Sequence, residues 1–180
     1  MSKVMIVTDS TANIPAQFMK ENPIKVVPLQ VIWGNSIYRD GVDIQPDEFY
    51  DRLARDPLYP STSQVTSEEF TGMYASLIDQ GYEILSIHIS SKLSGTLDSA
   101  YQAKKGFPDA KIAIVDSLST SMAMGFQVIA AARMAKMGAT LDECRQAAEQ
   151  AFQHSGVFFT VSSLEYLRRG GRIGNATAFL

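Results

Sequence analysis

Hydroxyl side chains are concentrated in four short segments of the sequence. Three of these segments, residues 8–11, 90–96 and 116–121, follow apolar runs of strand length, and the fourth, residues 61–64, precedes a helical pattern. Hydroxyls donate hydrogen bonds without adding charge, while helix N-termini offer free N–H groups and the positive end of the helix dipole. Together these groups are suited to binding a small anion such as a carboxylate or a phosphate.

The same residue types have a second use, because Ser, Thr, Asp and Asn are the preferred N-caps of helices. For any one of the four segments, capping a helix accounts for the composition. The binding hypothesis depends on several segments meeting at one edge of one sheet, where parallel sheets bind their ligands. The pattern alone leaves both interpretations open.

Ser94 and His88 indicate a different chemistry, nucleophilic catalysis. Residues 91–95 resemble a nucleophile elbow, although the glycine expected two positions before the serine is missing. An acyl hydrolase or transferase would use Ser94 with His88 as its base, and a phosphotransfer domain would use His88 as its acceptor. A histidine inside an apolar strand is also typical of a packed core, so both enzyme interpretations stay as alternatives.

Neither a metal site nor a nucleotide cofactor is predicted. The soft ligands His88, Cys144 and His154 are scattered along the chain, and His154 lies where a helix C-terminus is expected. Residues 170–174 fit neither the dinucleotide-binding glycine pattern nor the phosphate loop that ends in Lys-Ser/Thr.

Three arginines, Arg168, Arg169 and Arg172, lie in one glycine-containing turn. An exposed loop accounts for this composition. A contact for an anion or for a partner protein is the alternative interpretation.

The composition is typical of one globular domain of ordinary size. The 180 residues are 46% hydrophobic and 19% charged, with a formal net charge of −3, which excludes a disordered chain, a coiled coil and a disulfide scaffold. The pI of about 5.4 argues against nucleic-acid binding. A single cysteine, no signal peptide and no apolar stretch near the ~20 residues of a membrane span predict a cytoplasmic protein.

Short apolar runs and helical periodicity alternate along the chain. Strands are predicted at residues 4–7, 84–89, 112–115 and 157–161. Helices are predicted at residues 66–81, 94–106, 122–138 and 140–154. Two of these helices open with capping boxes, at Thr66 and Thr140.

This alternation predicts an α/β fold, with a mainly parallel sheet flanked by helices on both faces. A β-hairpin over residues 26–38, turning at Gly34-Asn35, and a helix near residues 46–55 form an excursion from the sheet at about residues 26–56. Ligand-binding side chains are then expected after the carboxyl ends of the strands, where the hydroxyl-rich segments lie.

Five segments, in this order, resemble the DegV family of bacterial lipid-binding proteins. The matching pieces are Val-Thr-Asp-Ser-Thr at 7–11, Thr-Ser-Gln at 62–64, Ser-Ser-Lys-Leu-Ser-Gly-Thr at 90–96, Val-Asp-Ser at 115–117 and Tyr-Leu-Arg-Arg-Gly-Gly-Arg-Ile at 166–173. The resemblance covers nearly the whole chain, and its motifs are specific jointly rather than singly.

The resemblance implies a protein that binds one long-chain, palmitate-like fatty acid and catalyses no reaction itself. In fatty-acid kinase systems such a protein is the lipid-carrying subunit. A separate ATP-dependent catalytic subunit, the implied partner, converts the carboxylate to an acyl phosphate for phospholipid synthesis. The resemblance implies no cofactor and allows a transient contact with a membrane.

By the family pattern, the fatty-acid carboxylate accepts hydrogen bonds from Thr62 of the Thr-Ser-Gln motif and from Ser94 before Gly-Thr. Ser63 of the same motif is included among the expected ligand-binding residues, and Arg172 is expected near the ligand entrance or the partner surface. His88 and Lys92 occupy variable positions of the pattern and inherit no role.

The resemblance also implies a protein longer than these 180 residues. Residues 1–160 are expected to form a DegV-like N-terminal α/β domain, and residues 161–180 are expected to begin a second domain. In the family, that domain closes over the acyl chain and brings a histidine to the carboxylate. The binding site within this chain is therefore expected to be incomplete.

Overall fold

Two β-sheets joined by helices make up the chain in a computed structural model, which describes residues 3–172. In chain order the elements are β1 (Val4–Asp9), a 3-10 helix (Ser10–Ala12), α1 (Ala16–Glu21), β2 (Ile24–Val27), β3 (Gln30–Trp33), β4 (Ser36–Arg39), α2 (Pro46–Leu53), β5 (Ser61–Ser63), α3 (Ser67–Asp79), β6 (Glu83–His88), α4 (Thr96–Lys104), β7 (Ile112–Asp116), α5 (Ser121–Lys136), α6 (Leu141–Gln153) and α7 (Glu165–Arg169). None of the helices in the described part is both long and apolar enough to cross a membrane.

The larger sheet contains four parallel strands in the order β2-β1-β6-β7. Every residue of β1 is buried, because β1 lies between two strands and helices cover both of its faces. Val4 and Ile6 pack with side chains of α5 and α6, whereas Met5 and Val7 pack with α3 and α4. The predicted α/β fold, with helices on both faces of a mainly parallel sheet, is confirmed.

The smaller sheet is antiparallel and has the order β4-β3-β5. Its hairpin has the predicted two-residue turn, and Gly34 there has a φ of +60°, which favours glycine. Trp33 at the end of β3 is buried, and the Arg52 guanidinium of α2 lies 4.3 Å from its ring centre. On the other side of β3, β5 pairs Thr62 with Val31.

The excursion begins and ends later than the sequence predicts. Residues 26–33 were expected to form one arm of the hairpin, but Val26 and Val27 belong to β2 and pair with β1 in parallel. Pro28 follows directly, and because proline has no N–H to donate, the parallel pairing ends there. The excursion spans residues 30–63 instead of about 26–56, and it contains an additional strand, β5.

The strand predicted at residues 157–161 is absent. These residues form no helix or strand, and Phe158 and Phe159 are 101% and 73% exposed. An apolar run matches the pattern of a buried strand, but a strand also needs a neighbour to pair with. Within residues 3–172 no strand pairs with this run, so the prediction is wrong.

The helices follow the sequence pattern more closely. Both predicted capping boxes form: Thr66 and Thr140 each accept a bond from the backbone N–H three residues later. The helix expected from Ser94 begins instead at Thr96, with Gly95 as its N-cap. Ser94 therefore lies in the turn before α4, where its Oγ accepts a hydrogen bond from the N–H of Thr96, the first residue of the helix.

Candidate functional site

A cavity of about 470 Å³ lies where the carboxyl edge of the larger sheet meets the smaller sheet. Its polar lining residues are Thr11, Asp40, Thr62, Gln64, Ser94, Thr120 and Arg172. Its apolar lining residues are Leu29, Val31, Ile89, Leu93, Phe159 and Leu167. The cavity thus combines hydroxyl groups with an apolar wall, as a ligand with a polar head and an apolar tail requires.

All four hydroxyl-rich segments reach this cavity. Thr11 follows β1, Ser94 follows β6 and Thr120 follows β7, while Thr62 comes from β5. In the larger sheet β2 lies on one side of β1 and β6 lies on the other. The order in which the chain adds strands therefore reverses between β1 and β6. Ligands of open parallel sheets bind at such a point. This convergence favours a binding function for the segments over helix capping alone.

Ser94 is half-buried and is held by its neighbour Thr96. The Ser94 Oγ lies 2.9 Å from the Thr96 Oγ1 and accepts a hydrogen bond from the Thr96 N–H at 3.3 Å. Thr62, in contrast, is exposed to the cavity and pairs through its backbone with β3. The two residues predicted to bind the carboxylate therefore line the same cavity, Thr62 from β5 of the smaller sheet and Ser94 from the turn between β6 and α4.

Gln64 connects these two parts of the site. Its Nε2 donates a hydrogen bond of 2.9 Å to the Ser99 Oγ in α4. A Cβ atom added to Gly95 would lie 2.9 Å from the Gln64 Cδ and closer still to its Oε1. A Cβ at position 95 would therefore require the Gln64 amide to move from its place beside the turn that carries Ser94.

Ser63 and Arg172 differ in where the structure places them. Ser63 does not line the cavity, because neighbouring side chains on a strand point to opposite faces and Thr62 occupies the cavity face. Arg172 is exposed and lines the cavity, whereas Arg168 and Arg169 form ion pairs with Glu165 at 3.0 and 2.7 Å. Arg168 and Arg169 belong to α7 and not to the predicted glycine-containing turn, and of the three arginines Arg172 alone lines the cavity.

A buried chain of hydrogen bonds lies behind the cavity. The Asp9 Oδ2 lies 3.0 Å from the His88 Nδ1, and the His88 Nε2 lies 2.7 Å from the Ser86 Oγ. The Ser86 Oγ in turn lies 2.7 Å from the Tyr74 hydroxyl. Burial raises the pKa of the Asp9 carboxyl, but hydrogen bonds from His88, Thr11 and the Ile89 N–H outweigh it, and the pKa lies below its ordinary value.

Both enzyme alternatives depend on an accessible His88, and the structure does not provide one. Its side chain is fully buried. Because an ionised Asp9 carboxylate can only accept, the His88 Nδ1 donates to it, while the Nε2 is hydrogen-bonded to the Ser86 Oγ. His88 therefore presents no ring nitrogen to Ser94 as a base and no exposed nitrogen to a phosphoryl group.

The apolar wall of the cavity was not predicted. Val31 belongs to the excursion and Leu29 directly precedes it, whereas Phe159 and Leu167 belong to the C-terminal part of the chain. No local pattern links positions so far apart in the sequence. Asp40 was missed for the same reason, and it also lines a second cavity, of about 500 Å³, which contains none of the predicted binding residues.

Within residues 3–172, no group of three or more His, Cys, Asp or Glu side chains is arranged to hold a metal ion.

The chain matches the family model described as "Uncharacterised protein, DegV family" over residues 3–180. The chain belongs to the DegV family. A DegV domain-containing protein of Clostridium perfringens is 33% identical over 178 residues, which cover 99% of this chain and 64% of the relative. Another, from Streptomyces coelicolor, is 40% identical over 177 residues, which cover 97% of this chain and 62% of the relative.

Solved structures of DegV proteins have the same fold. One, described as fatty acid binding of a DegV family protein from Thermus thermophilus, has a TM-score of 0.88 and 36% identity, covering 99% of this chain and 63% of that protein. A stearic-acid-binding protein from Eubacterium ventriosum has a TM-score of 0.83 and 33% identity, and the match covers 100% of this chain and 64% of that protein. This DegV chain spans less than two thirds of the length of each of these proteins.

Proposed function

We propose that this chain binds a long-chain fatty acid and holds its carboxylate between Thr62 and Ser94. The observation that carries the proposal is that these two hydroxyls, one from β5 and one from the turn before α4, line one cavity with an apolar wall. The volume of about 470 Å³ falls within the ~300–1,000 Å³ of small-ligand pockets. The Thermus thermophilus and Eubacterium ventriosum structures, described as binding a fatty acid and stearic acid, support the same class of ligand.

The acyl chain would supply most of the affinity. Burying the ~14 methylenes of a palmitate-like tail at ~0.8 kcal/mol each stabilises the complex by at most about 11 kcal/mol. Lost motion of the ligand offsets several of these kcal/mol. The apolar side chains of the cavity, Phe159 and Leu167 among them, are the surfaces within this chain that the tail would contact.

Neutral hydroxyls would recognise the headgroup. The lining contains the carboxylate of Asp40 and the guanidinium of Arg172, whose formal charges cancel. Thr11 is not available as a donor, because its hydroxyl donates to the Asp9 Oδ1 at 2.5 Å. A carboxylate removed from water needs hydrogen-bond donors, and Thr62 and Ser94 are placed to donate to it.

We also propose that this chain is a carrier in the cytoplasm that presents the fatty acid to a separate fatty-acid kinase subunit. The engagement of His88 with Asp9 and Ser86 supports a role without catalysis. Arg172 is exposed at the cavity, where a partner protein or a transiently contacted membrane would meet the ligand. Ser63, which lies away from the cavity, is not part of the proposed site.

Residues 161–180, we further propose, begin a second domain that covers the site. The structure describes this segment only as far as residue 172, and residues 173–180 lie outside the described part. Exposed apolar side chains support the proposal, since Phe158, Phe159 and Tyr166 are 101%, 73% and 57% exposed around the start of the segment. Such apolar surface is typical of a contact with another unit.

Titration of the chain with stearic acid and with octadecanol tests the proposed ligand. The two molecules have the same tail, so the ratio of their affinities measures recognition of the carboxylate. We expect the acid to bind more tightly. A chain that binds neither molecule, or binds both equally, would contradict the proposed function.

A further inference from the structure

We propose that Thr96 is a positioning residue that makes Ser94 a dedicated hydrogen-bond donor to an ionised carboxylate. Thr96 does not line the cavity, so it would act on the ligand only through Ser94. The inference rests on the function proposed above and extends it, because it explains how the site would select the headgroup of its ligand.

Thr96 holds Ser94 through two groups. The Thr96 N–H donates to the Ser94 Oγ at 3.3 Å, and the Thr96 Oγ1 lies 2.9 Å from the same oxygen. Thr96 is fully buried, and within residues 3–172 its hydroxyl has no other hydrogen-bond partner. Because a buried hydroxyl proton without an acceptor is costly, the Thr96 hydroxyl donates to Ser94.

The hydrogen-bonding capacity of serine then decides what Ser94 can offer. A serine hydroxyl has one proton and two lone pairs. The Thr96 N–H and O–H occupy both lone pairs of the Ser94 Oγ, so the Ser94 proton is the group left for a ligand.

An ionised carboxylate accepts hydrogen bonds and donates none, so it matches a residue that can only donate. A fatty alcohol carries a donor proton of its own, and it finds no lone pair on Ser94 to receive that proton. Thr96 therefore contributes to the preference for an acid over an alcohol.

Thr96→Val tests the inference, because valine is close to threonine in shape and lacks the hydroxyl. The measured quantity is the affinity for stearic acid divided by the affinity for octadecanol. We expect Thr96→Val to lower this ratio by about fivefold, the equivalent of one typical hydrogen bond. Thr96→Ser, which keeps the hydroxyl, should retain the ratio of the parent chain.

Thr8→Val is the matched control. Thr8 is also fully buried, but its Oγ1 has no hydrogen-bond partner in the described part of the chain. The same substitution there should leave the acid-to-alcohol ratio unchanged. If the Thr96→Val protein does not fold, Thr96→Ala, which removes the same hydroxyl, takes the place of Thr96→Val in the comparison.

Combination with Ser94→Ala shows whether Thr96 acts through Ser94. In the Ser94→Ala background, Thr96→Val should not change the ratio, because the hydroxyl that Thr96 positions is gone. An equal drop in both backgrounds, or an unchanged ratio for Thr96→Val in the parent, would overturn the inference. A parent chain that does not prefer the acid would instead contradict the proposed function, so the two failures can be told apart.

Discussion

At the scale of single residues, Thr62 and Ser94 differ from Thr11, another hydroxyl of the cavity lining, in how their hydroxyl protons are used. The Thr11 proton is donated to Asp9, and the Ser94 oxygen receives two hydrogen bonds from Thr96. Thr62 lies exposed at the cavity. The presence of a hydroxyl is therefore not sufficient for ligand binding, because its hydrogen-bond partners decide whether it can donate.

Removing either proposed donor should weaken fatty-acid binding. Thr62→Val and Ser94→Ala are each expected to weaken stearic-acid binding by ~1–3 kcal/mol, the cost of leaving a buried charged acceptor short of a donor. Isothermal titration measures the loss. Ser63→Ala is the control, since Ser63 neighbours Thr62 but does not line the cavity. If octadecanol lost as much affinity as the acid, the carboxylate would not be the partner of these hydroxyls.

Asp9 should make stability depend on pH. The pKa of its buried carboxyl lies below the ordinary value of 3.8, so the folded state favours the carboxylate more than the unfolded state does. The contribution of Asp9 to the free energy of unfolding is complete above its pKa in the unfolded state. That contribution is lost as the pH falls through its pKa in the folded state. Asp9→Asn should therefore be less stable than the parent at pH 7 and should lose less stability on acidification.

Urea unfolding of both proteins between neutral and acidic pH measures this difference. Asp109→Asn, the same substitution at an exposed position, is the control. Parallel stability curves for the parent and Asp9→Asn would show that the Asp9 charge does not contribute.

At the scale of elements, the proposed site depends on how β5 is held against the turn before α4. Gln64 follows β5 directly and donates to Ser99 of α4, while Gly95 leaves space for its amide. Thr62 and Ser94 are thereby attached to two elements that contact each other. A headgroup bound by both residues requires this arrangement to be maintained, because hydrogen bonds weaken steeply when their geometry changes.

Gly95→Ala should break the Gln64 contact. The new Cβ would displace the Gln64 amide from Ser99, lowering the free energy of unfolding by ~0.5–1.5 kcal/mol in addition to the cost of alanine as an N-cap. In a Gln64→Ala background, only the capping cost should remain. Urea unfolding of the four proteins gives the comparison.

Gly72→Ala in α3 is the control for this experiment, since a Cβ there meets nothing within 4 Å. It should not lower stability, because alanine favours a helix interior more than glycine does. Additive effects of Gly95→Ala and Gln64→Ala would show that the two residues do not interact.

At the scale of the whole molecule, the cavity is open beside exposed apolar surface. Phe158 is fully exposed, and Phe159 lines the cavity while 73% exposed. The chain spans 63% of the fatty-acid-binding relative from Thermus thermophilus. The proposed second domain would cover this surface and complete the apolar pocket.

Extending the chain should therefore raise its affinity for fatty acid. A version extended to the length of the DegV relatives is expected to bind stearic acid more tightly than the 180-residue chain, because more of the acyl tail is removed from water. Titration of both versions under the same conditions measures the gain. Equal affinities would show that the site is complete within these residues.

The sequence by itself determined the elements whose causes are local. Capping boxes at Thr66 and Thr140 predicted where two helices begin, and apolar runs predicted the three strands β1, β6 and β7. These predictions hold because a capping box joins residues three positions apart, and because a strand buried on both faces is recorded in the sequence as a continuous apolar run. The alternation of the elements was enough to predict the α/β fold.

Only the tertiary structure decided the features that depend on distant partners. The run at residues 157–161 has the composition of a strand but no neighbouring strand within residues 3–172. Val26 and Val27 of β2 were predicted to belong to a hairpin arm, although they pair with β1. The hydrogen bonding of His88 could not be predicted from the sequence either. Asp9, which accepts the proton on its Nδ1, lies 79 positions away along the chain. Hydrogen bonding and strand pairing of this kind depend on contacts in space, and a one-dimensional pattern records only neighbours along the chain.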